Sequence, residues 1–438
     1  MSDTHAQTVS YVRETMLPQV APPPGQTGAI RWLRENLFSS PLNAILTILS
    51  IWFVWYIVSH IGPWFINGIW DASSLTECRD IRNETLGPDA SAACFAVITD
   101  RWQQLLFGFY PQEAYWRPVL ALVVFVVGIL PLLFSSMPRK LLIGTALTPF
   151  VLYALLWGGS IWGPVMVILG LAIGWACAQY LTPVIGTIGG LIATVLLPVL
   201  FWLFLAGPIA DTLTRAIPIG LPFIESKDFG GFTLSVVIGV AGIVLSLPLG
   251  ILLALGRQSD MMIVNKLSTA FIEIIRGVPL IVWLFTASLL LNYFLPPGTN
   301  FDLMLRVIIM VTLFSAAYIA EVVRGGLAAL PKGQYEGADS LGLDYWQSMR
   351  LIILPQALKI SIPGIVNTFI GLFKDTTLVV FIGLLDPIGL TNSIRSSTDW
   401  NGIYWELYVF IGLMFFIFCF SMGRYSLYLE KKLQREHR

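Results

Sequence analysis

Leu330-Pro331-Lys332-Gly333-Gln334-Tyr335-Glu336-Gly337-Ala338-Asp339-Ser340-Leu341-Gly342-Leu343-Asp344, followed by Tyr345-Trp346-Gln347-Ser348-Met349-Arg350-Leu351-Ile352-Ile353-Leu354-Pro355, is an island of small and polar residues in an apolar chain. Pro331 and Gly333 break whatever helix precedes them. Gln334–Leu341 has the length of two helical turns. Gly342 suits the left-handed position that ends a helix. Asp344 with Gln347 three residues on forms a capping-box pattern, so a second helix starts there and runs through Trp346 and Arg350 to Leu354-Pro355. The stretch predicts helix, glycine turn, helix, proline, which is too structured for a plain connector.

Its surroundings set the class. Of 438 residues, 56% are hydrophobic and 12% charged, and the mean hydropathy is +0.76. Soluble domains sit near half apolar and a quarter charged, so a soluble enzyme is excluded. Twenty-six basic residues balance 26 acidic ones, so no net positive field draws nucleic acid. A membrane-crossing helix needs about 20 apolar residues. Ten segments qualify: Leu42–Ile61, Val119–Phe134, Leu141–Trp157, Ile161–Leu181, Thr187–Ala206, Phe232–Leu255, Val278–Leu295, Leu303–Ala320, Ile360–Phe373 and Tyr404–Tyr425. The fold class is therefore an all-α polytopic membrane protein of about ten spans. With the N-terminus inside, 17 of the 26 Lys and Arg residues fall on the inner side, the bias expected of cytoplasmic loops. Both termini are then cytoplasmic, N-in and C-in.

The first 40 residues carry Pro22–Pro24 and Gly25 and no early apolar stretch, so they read as a cytoplasmic tail and not a signal peptide. Ile30–Phe38 fits either a short interfacial helix or a basic flank. The outer loop, residues 63–117, holds Cys78 and Cys94. An oxidising compartment would allow a bridge between them, and two free thiols are the other reading. No metal site is expected, because His5, His60 and His437 lie far apart. From about Gly230 onward the inner loops lengthen and carry paired charges. Glu273-Ile274-Ile275-Arg276-Gly277 and Glu321-Val322-Val323-Arg324-Gly325 repeat one pattern. Residues three apart share a helix face, so Glu273 with Arg276 and Glu321 with Arg324 read as ion pairs. They either staple a membrane edge or brace the ends of moving helices.

The opening stretch resembles the coupling loop of permease subunits of bacterial ATP-binding-cassette importers. That loop reads E-A-A, three residues, G, nine residues, I, one residue, L-P. Glu336, Gly337, Ala338, Gly342, Ile352, Leu354 and Pro355 stand at those places. Gly337 replaces an Ala, which keeps the side chain small at about 1 kcal/mol of helix propensity. Arg276-Gly277-Val278-Pro279-Leu280, Ala320–Gly326, Pro331–Gln334 and Phe373–Leu378 are similar to the polar amino-acid branch, over residues 228–430. The longer N-terminal half resembles the larger permease of the general L-amino-acid (Aap/Bzt-type) pair.

The resemblance implies a type I importer transmembrane domain, a MetI-like helical bundle, with extra N-terminal helices in the bacterial inner membrane. It implies these limits: a tail at 1–40, a first transmembrane helix at 41–62, a periplasmic loop at 63–117, additional transmembrane helices at 118–208, the permease domain at 228–430 with its coupling loop at 331–355, and a tail at 431–438. It further implies a half-channel that pairs with a second homologous permease, two cytoplasmic ATPase subunits and a periplasmic amino-acid-binding protein. ATP and Mg belong to the ATPases. This chain has no G-x-x-x-x-G-K-[ST] loop, so it is expected to be a transporter subunit without a cofactor and not an enzyme.

Charges inside a bilayer usually face a cavity or a partner. Lys374 and Asp375, followed by Thr376 and Thr377, match a zwitterionic amino acid, with Asn292 a weaker candidate. The competing reading pairs Lys374 with Asp375. Two rival functions are an ion-driven secondary transporter and an ABC permease for another small polar solute. The first predicts inverted, broken-helix halves, and no such symmetry is visible in the sequence.

Overall fold

The computed structural model describes residues 28–134, 136–290, 293 and 302–435. The helices are α1 (Gly28–Asn36), α2 (Pro41–Ile66), α3 (Leu75–Thr85), α4 (Ala96–Phe107), α5 (Trp116–Leu133), α6 (Leu142–Leu156), α7 (Trp162–Ala176), α8 (Thr182–Leu200), α9 (Ala206–Ala216), α10 (Gly231–Arg257), α11 (Met262–Gly277), α12 (Leu280–Phe285), α13 (Leu303–Ala328), α14 (Lys332–Ser340), α15 (Tyr345–Ser348), α16 (Leu354–Asp375), α17 (Pro387–Arg395) and α18 (Trp405–Arg435). Among the described residues nine helical stretches are long and apolar enough to cross a bilayer, and the bent pair Met262–Gly277 with Leu280–Leu290 makes ten. About ten spans is what the hydropathy pattern predicts.

The chain divides into two compact units. One contains the described residues up to Ile69 together with Ile81–Ala93. In it α1 is a short amphipathic helix with an Arg31–Glu35 ion pair at 2.8 Å, which realises the helical reading of Ile30–Phe38. Ser40 caps α2, accepting from the Asn43 N–H, and Thr47 donates to the Leu37 carbonyl at 2.7 Å. None of the most apolar stretch of α2 is buried within this chain.

The other unit contains Trp70–Asp80 and the residues from Cys94 onward. Its N-terminal helices pair in hairpins. Thr145 at the start of α6 donates to the Gly128 carbonyl of α5 at 2.6 Å. Trp202, in the π-helical turn Phe201–Leu205, donates to the Met166 carbonyl of α7 at 3.2 Å. Two short strands, β1 (Gly159–Ser160) and β2 (Gly220–Leu221), pair antiparallel with Gly159 opposite Leu221. Trp157 then stacks on Phe229 at 4.7 Å, and Tyr110 donates to the Leu156 carbonyl at 2.7 Å. These contacts tie the hairpins to the start of α10. Cys78 and Cys94 are joined by a disulfide with Cα atoms 6.0 Å apart. The Cys94 N–H donates to the Glu406 carboxylate at 2.9 Å, and the buried Trp400 donates to Asp100 at 2.8 Å.

The C-terminal bundle centres on α10 and α13. One face of α10 carries Ser235, Gly239, Gly242, Ser246, Gly250 and Ala254, all buried. Small residues at this spacing let two membrane helices approach closely. A Cβ at Gly242 would lie 2.9 Å from Val311, and one at Gly250 would lie 2.6 Å from Ile319. The two helices therefore run parallel in contact along most of their length. Two cores form. Leu234, Ile238, Val307, Val311 and Leu372 belong to one. Ala254, Ile319, Val323, Leu327, Leu330, Ile353 and Ala357 belong to the other, which includes both ends of the polar stretch Leu330–Pro355.

Two of the expected spans differ in detail. The described part of the expected Val278–Leu295 follows a sharp break: α12 begins at Leu280, continues as a π-helical turn to Leu290, and lies at 102° to α11. Val278 precedes Pro279 and is held extended at φ −122°, ψ 135°, because the proline ring excludes the helical conformation there. Pro355 does not end a helix either. A π-helical turn, Met349–Ile353, leads directly into α16, where Pro355 is the second residue. The expected Ile360–Phe373 is thus part of one helical stretch, Tyr345–Ile382.

Candidate functional site

The polar stretch folds as helix, turn, helix. Pro331 opens α14 in an extended conformation. Gly342 takes φ +67°, the left-handed region where a Cβ is penalised, and the Leu343 N–H reaches back to the Ala338 carbonyl at 3.3 Å. The Gln347 N–H donates to Asp344 at 2.8 Å and the Asp344 N–H to Gln347 at 3.2 Å, completing the capping box.

The faces of α14 differ. Ala338 is fully buried. Tyr335 packs beside the second core, and burial pushes its phenol pKa up. Gln356 of α16 donates to Gln334 at 2.8 Å. On the outer face Glu336 and Gly337 are exposed, and nothing lies within 4 Å of a Cβ placed on Gly337. Ile353 is fully buried, Ile352 and Leu354 half-buried, and Pro355 exposed. The small residues thus serve two ends: Ala338 lets α14 sit against its own chain, and Gly337 leaves its outer face open.

The expected ion pairs form a wider network. Glu321 pairs with Arg324 on its own helix, as the spacing predicts. It also holds Arg257 at 3.1 Å and Arg276 at 3.6 Å. The Glu273–Arg276 pair does not form. Glu273 meets Arg257 at 2.9 Å instead, and Arg276 also lies over the Tyr318 ring at 5.2 Å. Three helices, α10, α11 and α13, therefore share one carboxylate. Arg257 is the residue that the E-x-x-R-G pattern could not supply. Its sequence signal is a lone cation in the last turn of α10.

The substrate-path candidates are spread more thinly. Lys374 is exposed and Asp375 half-buried. No ion pair joins them to each other or to any described residue. Thr376 is fully buried and donates to the Phe373 carbonyl at 2.7 Å, and Thr377 donates to the Lys374 carbonyl at 2.8 Å. Both hydroxyl protons are thus engaged by their own backbone. Asn292 lies outside the described residues. No group of His, Cys, Asp and Glu able to hold a metal occurs among the described residues.

The model for binding-protein-dependent transport system inner membrane components matches residues 246–435. The chain is 58% identical over its full length to the glutamate/glutamine/aspartate/asparagine transport system permease protein BztC of Rhodobacter capsulatus, also over that protein's full length. It is 40% identical to the inner membrane amino-acid ABC transporter permease protein YhdY of Escherichia coli K12, across 92% of this chain and 93% of the relative. A solved amino acid ABC transporter with histidines shares 29% identity over 45% of this chain and 90% of its own, with a TM-score of 0.41. The chain belongs to the family of binding-protein-dependent transport system inner membrane components. It is a permease subunit of an ABC transporter, an inner-membrane protein.

Proposed function

We propose that this permease subunit of an amino-acid ABC importer forms one half of the translocation path and is driven through α14. A second permease supplies the other half, two separate cytoplasmic ATPases bind ATP and Mg, and a periplasmic binding protein delivers the substrate. The importer domain spans residues 228–430 and the coupling loop 331–355. Both termini face the cytoplasm, a placement supported by the basic residues of the inner loops. The 58% identical relative is named for acidic amino acids and their amides, which makes that class the substrate proposed for this chain.

The observation that carries the reading is the two-faced α14. A pull on Glu336 and Gly337 passes through Ala338 and the Gln334–Gln356 bond into α16. It then reaches the core of Leu327, Leu330 and Ile353 and the Glu321 hub on α13. Lys374 and Asp375 are the proposed polar contacts of the path, because both charges lack an ion-pair partner among the described residues. The engaged hydroxyls of Thr376 and Thr377 make them secondary.

Gly337→Trp tests the coupling. A Cβ there meets nothing within 4 Å and the position is exposed, so the protein should insert at normal abundance. In vesicles holding the whole transporter, substrate uptake should fall at least tenfold and ATP hydrolysis should no longer respond to substrate. Normal uptake by this variant would remove α14 from the coupling path.

A further inference from the structure

Arg306 stands in the first turn of α13, inside a stretch apolar enough to cross a bilayer, and is only 5% exposed. One guanidinium nitrogen donates to the Ser288 carbonyl at 3.2 Å, while Nε is buried without a partner. No ion pair holds it among the described residues. The surrounding sequence supplies none either. Between Glu273 and Glu321 the only acid is Asp302, and its carboxylate caps α13 by accepting from the Leu305 N–H at 3.0 Å. A buried cation without a counter-charge is costly, and an ionisable side chain within a span points to a functional site. We propose that the transported amino acid brings the missing partner: Arg306 receives the oxygen at the end of the substrate side chain, a carboxylate in preference to an amide. The proposal rests on the substrate class proposed above and on Lys374 and Asp375 as path contacts.

Three observations put Arg306 beside that path. The backbone it holds is irregular: α11 and α12 meet at 102°, and Ser288 lies in the π-helical turn Thr286–Leu290 that extends α12. Non-helical backbone at membrane depth is tolerated where it is buried in protein or lines a cavity, and π-turns recur at functional sites. Next, α12 and its π-helical turn pack on α13, and α12 also packs on the turn Thr376–Ile382, which directly follows Lys374 and Asp375. One short helix thus adjoins Arg306 and the proposed contacts. Finally, the chemistry divides cleanly. Lys374 and Asp375 match the α-carboxylate and the α-ammonium, which leaves the side chain. Glutamate, glutamine, aspartate and asparagine all end in an oxygen that accepts a hydrogen bond, and a charged acceptor gains most from a guanidinium. Arg117 gives the contrast. It is equally buried, with its own Nε unpartnered, but it donates to the Pro222 carbonyl at 2.8 Å and lies over the Trp116 ring at 5.8 Å. It ties regular helix α5 to the residue after β2.

The test uses the whole transporter in vesicles, with saturating binding protein loaded with glutamate or with glutamine, so that the ratio of the two uptake rates reads the permease. Arg306→Gln should lower the glutamate-to-glutamine ratio about tenfold, the worth of one hydrogen bond to a charged group, and Arg306→Lys should keep most of it. Arg117→Gln should leave the ratio unchanged. A second measurement needs no variant: glutamate should raise the melting temperature of the purified wild-type complex, and norvaline, which lacks the side-chain oxygen, should not. An unchanged ratio in Arg306→Gln overturns the proposal. So does an equal change in Arg117→Gln, which would mark the loss of any buried cation, and so do equal thermal shifts by glutamate and norvaline. A wild type that carries neither solute removes the substrate class itself, before any substitution is made, and this proposal with it.

Discussion

The helices α2 and α13 are both apolar enough to cross a bilayer, yet they lead different lives. None of the most apolar stretch of α2 is buried within the chain, against 56% for α13. Hydropathy does not separate them; the neighbours do. Across from α13 stands the small-residue face of α10, and where lipid is as apolar as leucine, close packing of backbones is what joins helices. A long apolar run states that a helix tolerates lipid. A stripe of glycine and serine states that it prefers another helix.

The largest expected effect breaks this contrast. Gly250→Leu places atoms where Ile319 and the Ala316 carbonyl already are. Overpacking at a backbone contact costs about 3 kcal/mol, so the melting temperature of the detergent-solubilised protein should fall clearly. At Gly144 in α6 a Cβ meets nothing within 4 Å and the position is exposed, so Gly144→Leu should leave it unchanged. If the two variants melt alike, the α10–α13 seam is not what holds the bundle.

Protons sharpen the contrast next. Asp386 caps α17 through the Gly389 N–H at 2.9 Å, but its other oxygen is buried without a partner. Burial pushes its pKa up to about 6. A carboxyl raised in the folded state binds more protons there than in the unfolded chain. Its contribution to stability is therefore full below about pH 4 and declines by about 2–3 kcal/mol as pH rises toward 6 and above. Exposed Glu77 behaves oppositely: hydrogen bonds from Ser73 lower its pKa, so its contribution is lost as pH falls. Asp386→Asn should flatten the unfolding profile between about pH 4 and 6. An unaltered profile would show that Asp386 does not set it.

A smaller effect separates the two acidic residues of the hub. Glu321→Gln leaves three guanidiniums short of one shared carboxylate and should cost about 2 kcal/mol, a value reduced for a site one-quarter exposed. Glu273→Gln, where the acid is 60% exposed, should cost well under about 1 kcal/mol. Denaturant unfolding of the two variants side by side checks the order. Equal losses would mean that the hub is only a set of surface pairs.

Much of this was legible in the residues. Apolar run length located the crossing helices but not their ends, since Tyr345–Ile382 and Gly189–Ala216 run well past the expected Ile360–Phe373 and Thr187–Ala206; the Gly342 turn with the Asp344–Gln347 box placed the loop helices. Other features were written locally but needed geometry to interpret. Gly277-Val278-Pro279 marks a break, yet only the structure shows that it turns the chain by 102°. Pro355 looked like a terminator, and the π-helical turn before it admits it to a helix. Arg306 shows the limit. It is buried in α13, with one nitrogen donating to the Ser288 carbonyl at 3.2 Å and its Nε left without a partner, and nothing in its flanking sequence marks it as buried.

The sequence by itself determined where the chain leaves water and where a polar helix-turn-helix interrupts the apolar runs, because hydropathy, caps and turn residues act within a few positions of one another. Only the tertiary structure decided that Glu273 meets Arg257, that Glu321 gathers three arginines, and that one face of α14 is seated while the other stays open. Those outcomes depend on which helices pack side by side, and a guanidinium brought close by packing can win a carboxylate from the arginine three residues along its own helix.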